Sequence, residues 1–334
     1  MTDTKPIRLS ANENCYGCSP LALDAIQKKY KDVHLYPDVF PNSLKGKLAE
    51  KFGVSADNIV VGAGSVKIID ELIRTYVGLE DEILTFEKSF IAYSQLAGFY
   101  KLKCILAPLN DYRCLPGNLL PLITDKTKLI FIANPNNPTG TIINHAELEA
   151  FLKSISNKII VVIDEAYGEY ITDFSFPKSL ELQKQYPNLV VLRSFSKIYG
   201  LAGLRIGYGI MEEKIASVLN ANQVPYSLSY LSSDAAIAAL IDKLFVCNSA
   251  RANAEQRDYL YSELTNLGFK TIPTQANFIY VWFDNDVEKQ RIYDLLLKNG
   301  IVICDLKVFG QEKSVRITIG DKETNQRIVS TLSK

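Results

Sequence analysis

The most regular feature of the chain is an alternation of short apolar runs and longer amphipathic segments between residues 59 and 210. Runs rich in β-branched residues, which are typical of buried strands, occur at residues 59–61, 82–86, 103–109, 128–133, 158–163, 188–192 and 205–210. Between most of these runs the apolar residues recur with helical spacing, for example over residues 65–77 and 144–155. The pattern predicts an α/β fold in which helices cover both faces of a mostly parallel seven-stranded sheet.

The pattern changes in the last third of the chain. A helical stretch near residues 232–244 and a long helix at about 248–267 lead to predicted strands at residues 277–283, 301–305 and 314–320. This order indicates a smaller α+β domain. We expect an N-terminal arm with part of the small domain over residues 1–33, a large domain over residues 34–246 and a small C-terminal domain over residues 247–334.

Composition and charge exclude several classes of protein. The chain has 334 residues, more than one ordinary hydrophobic core accommodates, so we expect one large domain and a smaller one. Hydrophobic residues make up 47% of the chain and charged residues 22%, which is typical of globular proteins. Its 37 basic and 37 acidic residues give a formal net charge of zero, so we expect no general attraction for nucleic acid or an anionic membrane. The longest apolar runs are far shorter than the roughly 20 residues of a membrane span, and the first residues lack the apolar core of a signal peptide. We therefore expect a cytoplasmic protein.

Cysteine and histidine offer little for metal binding or for histidine-based catalysis. Cys15 and Cys18 have C-x-x-C spacing, but there is no second pair, and neither His34 nor His145 stands at a ligand spacing from them. We expect reduced thiols and no metal site. Acid–base chemistry would then fall to lysine, tyrosine or carboxylate side chains.

Five segments rich in glycine or polar residues lie at the ends of predicted strands, at the edge where ligands bind in parallel α/β sheets. In VGAGS (residues 61–65), glycines would let a phosphate approach the free N–H groups of a helix, although such glycines also occur in plain turns. NPNNPTG (residues 134–140) is either a rigid turn or a source of amide ligands. In DEAY (residues 164–167), an acid that ends a buried strand needs a cationic partner unless it caps a helix.

The two remaining segments carry cations. Lys197 in RSFSK (residues 193–197) is flanked by hydroxyl groups, and a desolvated lysine near other cations becomes a nucleophile able to form a Schiff base. Arg205 lies among glycines in GLRIG (residues 203–207), eight residues later.

In this order and spacing, the segments NPNNPTG, DEAY, SFSK and GLRIG resemble those of the fold type I pyridoxal-phosphate-dependent aminotransferases, and within them the histidinol-phosphate aminotransferase family. The resemblance extends from LSANEN (residues 9–14) to VRITIG (residues 315–320). It implies a large pyridoxal-phosphate-binding domain with a mostly parallel sheet, a smaller α+β domain, and pyridoxal 5′-phosphate as cofactor.

The resemblance also implies a role for each matching residue. Lys197 should hold the cofactor as a Schiff base and move protons between the substrate α-carbon and C4′, and Asp164 should pair with the pyridinium nitrogen. The other expected cofactor contacts are Gly64, Ser65, Val66, Ser194, Ser196 and Arg205 at the phosphate, Asn137 and Tyr167 at the phenolate oxygen, and Tyr93 stacked on the ring.

Further matching positions concern the substrate and a second subunit. Arg316 should clamp the substrate carboxylate with its planar fork, and Tyr16 and Asn137 complete the expected substrate site. Tyr36 matches a tyrosine that reaches the cofactor phosphate of the neighbouring subunit, which implies a homodimer.

The chain departs from the family pattern where substrate binding is concerned. Cys304 stands where the family typically has an arginine that grips the substrate phosphate. Losing one of two cationic anchors would cost about 1.5–3 kcal/mol of binding free energy unless Lys307 replaces it. Val66 and Lys67 stand where the family usually has an acidic pair, a change that leaves the backbone N–H groups in place.

Three functions fit these observations. The first is an aminotransferase that uses L-glutamate and a small phosphorylated keto or amino-alcohol substrate similar to histidinol phosphate. The second is a decarboxylase of a phosphorylated amino acid such as phosphoserine or phosphothreonine, because the same cofactor serves both reactions and the orientation of the bonds at the α-carbon decides between them. The third, a cofactor-binding protein without catalysis, would require the loss of Lys197, Asp164 or Tyr167, and all three are present.

Overall fold

The computed structural model describes residues 6–334 of the chain. Its strands are β1 (Ile7–Leu9), β2 (Ile59–Gly62), β3 (Glu82–Phe86), β4 (Lys103–Ala107), β5 (Thr127–Ala133), β6 (Ile160–Asp164), β7 (Leu189–Ser194), β8 (Gly207–Ile210), β9 (Lys270–Thr271), β10 (Phe278–Trp282), β11 (Ile301–Asp305) and β12 (Ser314–Thr318). Its α-helices are α1 (Pro20–Lys29), α2 (Asn42–Phe52), α3 (Ser65–Tyr76), α4 (Ala92–Phe99), α5 (His145–Ser154), α6 (Ser179–Gln185), α7 (Glu213–Ala221), α8 (Tyr230–Ile241), α9 (Lys243–Asn266), α10 (Asp286–Lys298) and α11 (Lys322–Leu332).

The larger sheet has seven strands in the order β2-β8-β7-β6-β5-β3-β4. Strand β8 runs antiparallel to both of its neighbours, and the other neighbouring pairs are parallel. Every residue of β6 is buried, because apolar clusters pack on both faces of the sheet. The predicted α/β fold with a mostly parallel seven-stranded sheet is confirmed.

Some element boundaries differ from the prediction for local reasons. The strand predicted at residues 205–210 begins only at Gly207, because Arg205 has a left-handed backbone with φ 53° after a short 3-10 turn. The helix predicted to begin near residue 248 begins at Lys243, where the side chain of Asp242 accepts a hydrogen bond from Phe245 N. Asp242 therefore ends α8 and caps α9, so the two helices are almost continuous.

The smaller sheet has five strands in the order β1-β11-β12-β10-β9. Strand β1 is parallel to β11, with Ile7 opposite Ile301 and Leu9 opposite Ile303, and the other pairs are antiparallel. The beginning of the chain is thus hydrogen-bonded into a sheet made mostly from its last 70 residues. The division at residues 33 and 246 stays a prediction.

Over residues 6–334 no helix is both long enough and apolar enough to cross a membrane. In the same residues no three or more histidine, cysteine, aspartate or glutamate side chains are grouped as a metal ion would require.

Candidate active site

A cavity of about 330 Å³ lies at the carboxyl ends of the central strands β5, β6 and β7. The parallel direction of these strands explains the position of the cavity, because the residues that follow parallel strands lie at the same edge of the sheet. Most of the predicted site residues line the cavity, namely Ser65, Val66, Asn137, Asp164, Tyr167, Ser194, Ser196, Lys197, Arg205 and Arg316.

One end of the cavity is built to receive an anion. Helix α3 begins there with Gly64 at its N-cap and no capping side chain, so the first N–H groups of the helix lack intrahelical partners. The guanidinium of Arg205 lies against Gly64, since a Cβ atom at that residue would come within 2.6 Å of Arg205 Nη2. Arg205 Nη1 also donates to Ser196 Oγ at 3.4 Å and to the carbonyl of Ala202 at 2.9 Å.

Gly64 does not line the cavity itself, but a side chain at residue 64 would displace the guanidinium of Arg205 from its present position. Its backbone has φ +86°, which also favours glycine. Gly207 allows a second close approach, because a Cβ atom at this residue would lie only 2.2 Å from the backbone nitrogen of Ser65. These close approaches hold the start of α3 beside Arg205.

Lys197 has the properties of a nucleophilic amine. Its Nζ lies in the cavity and donates to the carbonyl of Ala11 at 2.9 Å. Burial, and then the nearby charge of Arg316, lower the pKa of Lys197 to about 8, against the partial opposition of Glu13. At pH 7 about a tenth of the amine is neutral, far more than for an exposed lysine.

Asp164 is a buried carboxylate at the end of β6. Burial raises its pKa to about 6, although hydrogen bonds from Tyr93 and from Ala166 N favour the ionised form. The Tyr93 hydroxyl donates to Oδ2 at 3.0 Å and Ala166 N donates to Oδ1 at 3.2 Å. A cation brought into the cavity would lower the pKa of Asp164 and further favour its ionised form.

The structure corrects the expected position of Tyr93. This side chain is fully buried, stacks on Phe131 at 4.8 Å between ring centroids, and does not line the cavity. Phe90 lines the cavity and meets Tyr93 edge to face at 5.5 Å. Because α4 begins at Ala92, Tyr93 points into the core to hold Asp164, while Phe90 precedes the helix and faces the cavity. The aromatic residue available to a ring in the cavity is Phe90.

The N-terminal arm contributes contacts to which the sequence analysis assigned no role. Asn12 Nδ2 donates to the Tyr167 hydroxyl at 2.9 Å, and the carbonyls of Ala11 and Ser10 accept from Lys197 and Arg316. Asn12 is itself held by Thr318, whose Oγ1 accepts from Asn12 N at 3.0 Å. The segment LSANEN was visible in the sequence, but nothing local showed that it contacts residues 155 to 306 positions away.

Arg316 lies on β12 between two aromatic rings and is buried. Its guanidinium carbon lies 5.4 Å from the ring centroid of Phe278 and 5.8 Å from that of Phe309. It donates through Nη1 to Asn137 Oδ1 and through Nη2 to the carbonyl of Ser10 at 2.7 Å, and its buried Nε has no hydrogen-bond partner. A buried arginine with an unused donor is suited to bind an anionic ligand.

Cys304 lies directly opposite Arg316 in the β11–β12 pairing. Burial raises the pKa of its thiol, so the side chain is neutral at physiological pH. Lys307 does not line the cavity. Among the described residues, the cations that line the cavity are therefore Lys197, Arg205 and Arg316.

Two predicted tyrosines lie outside the lining. Tyr16 is partly buried in the turn that follows the N-terminal arm, and burial raises the pKa of its hydroxyl. Tyr36 is 84% exposed, and its ring centroid lies 5.0 Å from that of Tyr226. Within one chain, neither side chain reaches the cavity.

The residues present fit pyridoxal 5′-phosphate on three counts. A guanidinium, hydroxyl groups and the start of helix α3 lie at one end of the cavity, where a phosphate dianion would bind. A buried carboxylate and a lysine with a lowered pKa lie in the same cavity, ready for a pyridinium nitrogen and an aldehyde. The donor set therefore matches the three functional groups of this cofactor.

Comparison with known proteins agrees with this geometry. The family "Aminotransferase class I and II" matches residues 4–332. The histidinol-phosphate aminotransferase of Moorella thermoacetica is 39% identical over 327 residues, which cover 98% of this chain and 84% of that protein. That of Anaeromyxobacter is 37% identical over 328 residues, covering 98% and 90% of the two chains.

Solved structures give the same result. The histidinol-phosphate aminotransferase of Sinorhizobium meliloti in complex with pyridoxal 5′-phosphate superposes with a TM-score of 0.92 at 27% identity, covering 98% of this chain and 90% of that one. The enzyme from Clostridium acetobutylicum has a TM-score of 0.88 at 27% identity, with 98% of both chains covered. The match over nearly the whole chain, and the lysine, carboxylate and arginine gathered in one cavity, lead to one conclusion: this chain belongs to the class I and II aminotransferases and is an enzyme of that family, with pyridoxal 5′-phosphate as its cofactor.

Proposed function

We propose that this aminotransferase exchanges an amino group between L-glutamate and a small phosphorylated keto or amino-alcohol compound, with histidinol phosphate as the reference substrate. The observation that carries the proposal is the meeting of Lys197, Asp164 and Arg316 in one cavity of about 330 Å³. The names of the relatives at 37–39% identity support histidinol phosphate as the first substrate to test.

Each residue has a task in this proposal. The bound cofactor supplies an electron sink for the negative charge that develops at the substrate α-carbon. Lys197 would hold the cofactor through its amine, and an amine with a pKa of about 8 is suited to accept and return the proton of the substrate α-carbon. Asp164 binds the ring nitrogen and keeps it protonated. Tyr167 and Asn137 orient the phenolate oxygen.

The substrate anion binds at Arg316 in this proposal. Its Nε has no partner, and its Nη1 contacts only Asn137, so the edge of the guanidinium can turn to a carboxylate. Phe278 and Phe309 hold the plane of the guanidinium between them, which limits its orientation. With a neutral thiol at Cys304 opposite, this single arginine holds the anion without a second cation beside it on the sheet.

The proposal includes a homodimer in which Tyr36 completes the phosphate site of the partner. Tyr36 belongs to an apolar surface that includes Val33, Leu35, Val224 and Tyr226, each more than 45% exposed. Exposed apolar residues gathered on one face favour association. Sedimentation of the wild-type protein should give twice the mass of the chain, and Tyr36→Ala should weaken retention of the cofactor.

The test of the function is the visible absorbance of the purified protein loaded with pyridoxal 5′-phosphate. We expect L-glutamate to convert the cofactor to its amine form, so that the protein loses its visible yellow absorbance. A phosphorylated keto substrate should then restore this absorbance. Lys197→Ala should bind cofactor only reversibly and show no turnover, whereas Lys214→Ala, on the surface helix α7, is the control and should behave as wild type.

Two outcomes would contradict the proposal. Turnover by Lys197→Ala at the wild-type rate would remove the assigned role of this lysine. No change of absorbance with L-glutamate, together with carbon dioxide release from phosphoserine or phosphothreonine, would replace transamination by decarboxylation.

A further inference from the structure

A buried cluster of charges lies beside the cavity without lining it. Arg193 Nη2 contacts Glu165 Oε2 at 2.6 Å, and Nη1 contacts Glu169 Oε1 at 3.2 Å. The Glu165 side chain is fully buried, and it also accepts a hydrogen bond from the Ser179 hydroxyl. None of these four residues lines the cavity, and the function proposed above does not use them.

The cluster joins two neighbouring strands at the point where their pairing ends. The last paired residues of β6 and β7 are Asp164 and Leu192, and one more backbone hydrogen bond follows, from Glu165 N to the Leu192 carbonyl at 2.9 Å. Beyond this hydrogen bond, the segments that follow β6 and β7 are linked by the side chains of Glu165 and Arg193.

Alternation along the strands places the cluster and the cavity on opposite sides. Asp164 and Ser194 line the cavity, whereas Glu165 and Arg193, the residues next to them, point away from it. Asp164 is assigned to the ring nitrogen of the cofactor, and Ser194 begins the segment that carries the phosphate contacts and Lys197. The ion pair therefore links the two chain segments that hold opposite ends of one rigid cofactor.

Charge gives the pair a second effect on the site. Burial raises the pKa of Glu165, and the charge of Arg193 is the largest effect that opposes this shift and favours the ionised form. Although burial disfavours its charge, the carboxylates of Glu165 and Glu169, and more weakly Tyr208, hold the pKa of Arg193 above its usual value. The charge of Glu165 also raises the pKa of Asp164. Arg193 therefore compensates a negative charge next to the carboxylate that binds the cofactor.

Buried ion pairs contribute little net stability, because desolvation offsets their attraction, so stability alone does not account for this one. We propose that Arg193 is a positioning residue, which through its ion pairs with Glu165 and Glu169 fixes the spacing between Asp164 and the segment from Ser194 to Lys197. This inference rests on the roles proposed above for Asp164 and Lys197.

The experiment compares three variants of the enzyme loaded with cofactor. Arg193→Met removes the cation and keeps most of the aliphatic volume. Glu165→Gln removes the charge of the carboxylate and keeps its shape, with the amide oxygen placed to accept from Arg193 and the amide nitrogen to donate to the Ser179 hydroxyl. The matched control is Arg113→Met, which breaks an arginine–glutamate pair with Glu147 at 2.8 Å away from the cavity. For each variant, the absorbance of the bound cofactor is titrated with pH, and the rate of its change with L-glutamate is measured.

We expect Arg193→Met and Glu165→Gln to shift the pH midpoint of the cofactor absorbance in opposite directions. Arg193→Met removes a positive charge near Asp164 and should move the pH midpoint of the cofactor absorbance up by about one unit, whereas Glu165→Gln removes a negative charge and should move this midpoint down. Both should slow the reaction with L-glutamate, by about 100-fold for Arg193→Met, since a displacement of about 1 Å between reacting groups has that effect. Arg113→Met should change neither quantity.

The inference is overturned if Arg193→Met and Glu165→Gln both keep the wild-type midpoint and rate, even if they unfold at lower temperature. If Arg193→Met does not fold, Glu165→Gln decides alone by the same two measurements. The midpoint is measured without substrate, so it tests the inference even if wild type fails to react with L-glutamate, an outcome that would refute the proposed function instead.

Discussion

The hydrogen bond from the Tyr93 hydroxyl to Asp164 offers a sharp test of how the site controls its own charge. Tyr93→Phe removes one oxygen atom and keeps the ring that stacks on Phe131. The lost bond donated to a carboxylate, and bonds of this kind contribute about 1.5–3 kcal/mol. Because one pKa unit corresponds to about 1.4 kcal/mol, the pKa of Asp164 should rise from about 6 by about one to two units.

The expected change is large at physiological pH. In the cofactor-free protein at pH 7, the ionised fraction of Asp164 should fall from about nine tenths to between a half and about a tenth. Only the ionised form pairs with a pyridinium ring. The affinity for pyridoxal 5′-phosphate should therefore begin to fall at a pH one to two units higher in the variant than in wild type.

The assay is a binding titration by absorbance at a series of pH values from 5 to 8. Tyr280→Phe is the matched control, because Tyr280 is also a buried tyrosine with hydrogen bonds, to Gln311 and Ser314, but it lies away from Asp164. A Tyr93→Phe variant that folds normally and loses affinity at the same pH as wild type would refute the reasoning.

Three further predictions concern the same cavity. Asp164→Asn should keep the fold but slow the reaction with L-glutamate by about 100-fold or more, measured by stopped-flow absorbance, and an unchanged rate would remove its assigned role. Cys304→Arg should strengthen binding of a phosphorylated substrate by about tenfold or more, seen as a lower KM, whereas an unchanged KM would mean that the phosphate binds elsewhere. Because the pKa of Asp164 is higher in the folded chain than the ordinary 3.8, ionisation of Asp164 should cost the cofactor-free protein about 2 kcal/mol of stability as the pH rises from about 4 to about 6. Urea unfolding of wild type and Asp164→Asn at both pH values isolates this contribution, because the stability of wild type relative to the variant should fall by about 2 kcal/mol.

The central sheet was predictable from the sequence because its strands are buried on both faces. Such strands have a composition that can be recognised without their neighbours, as in residues 160–163, and the polar residues that follow them meet at one edge. That is why Asp164 and Lys197, which follow β6 and β7, could be assigned to one site although they are distant in sequence. Arg205 lies at the same edge because it precedes the antiparallel strand β8.

Two parts of the site could not be predicted in the same way. The choice between Phe90 and Tyr93 depends on where α4 begins, and one residue at a helix start changes the direction of a side chain by about 100°. The contact of Asn12 with Tyr167 depends on the path of an arm that has no regular structure after Leu9. Periodicity carries no information about either.

The pairing of β1 with β11 has a consequence for the synthesis of the protein in a cell. Ile7 leaves the ribosome early, but its partner Ile301 is added almost 300 residues later. At translation rates of about 5–20 residues per second, the first strand waits about 15–60 s for its partner. During that time Ala11 and Asn12 have no sheet to fix them near Lys197 and Tyr167, so the active site should be the last part of the nascent chain to reach its working form.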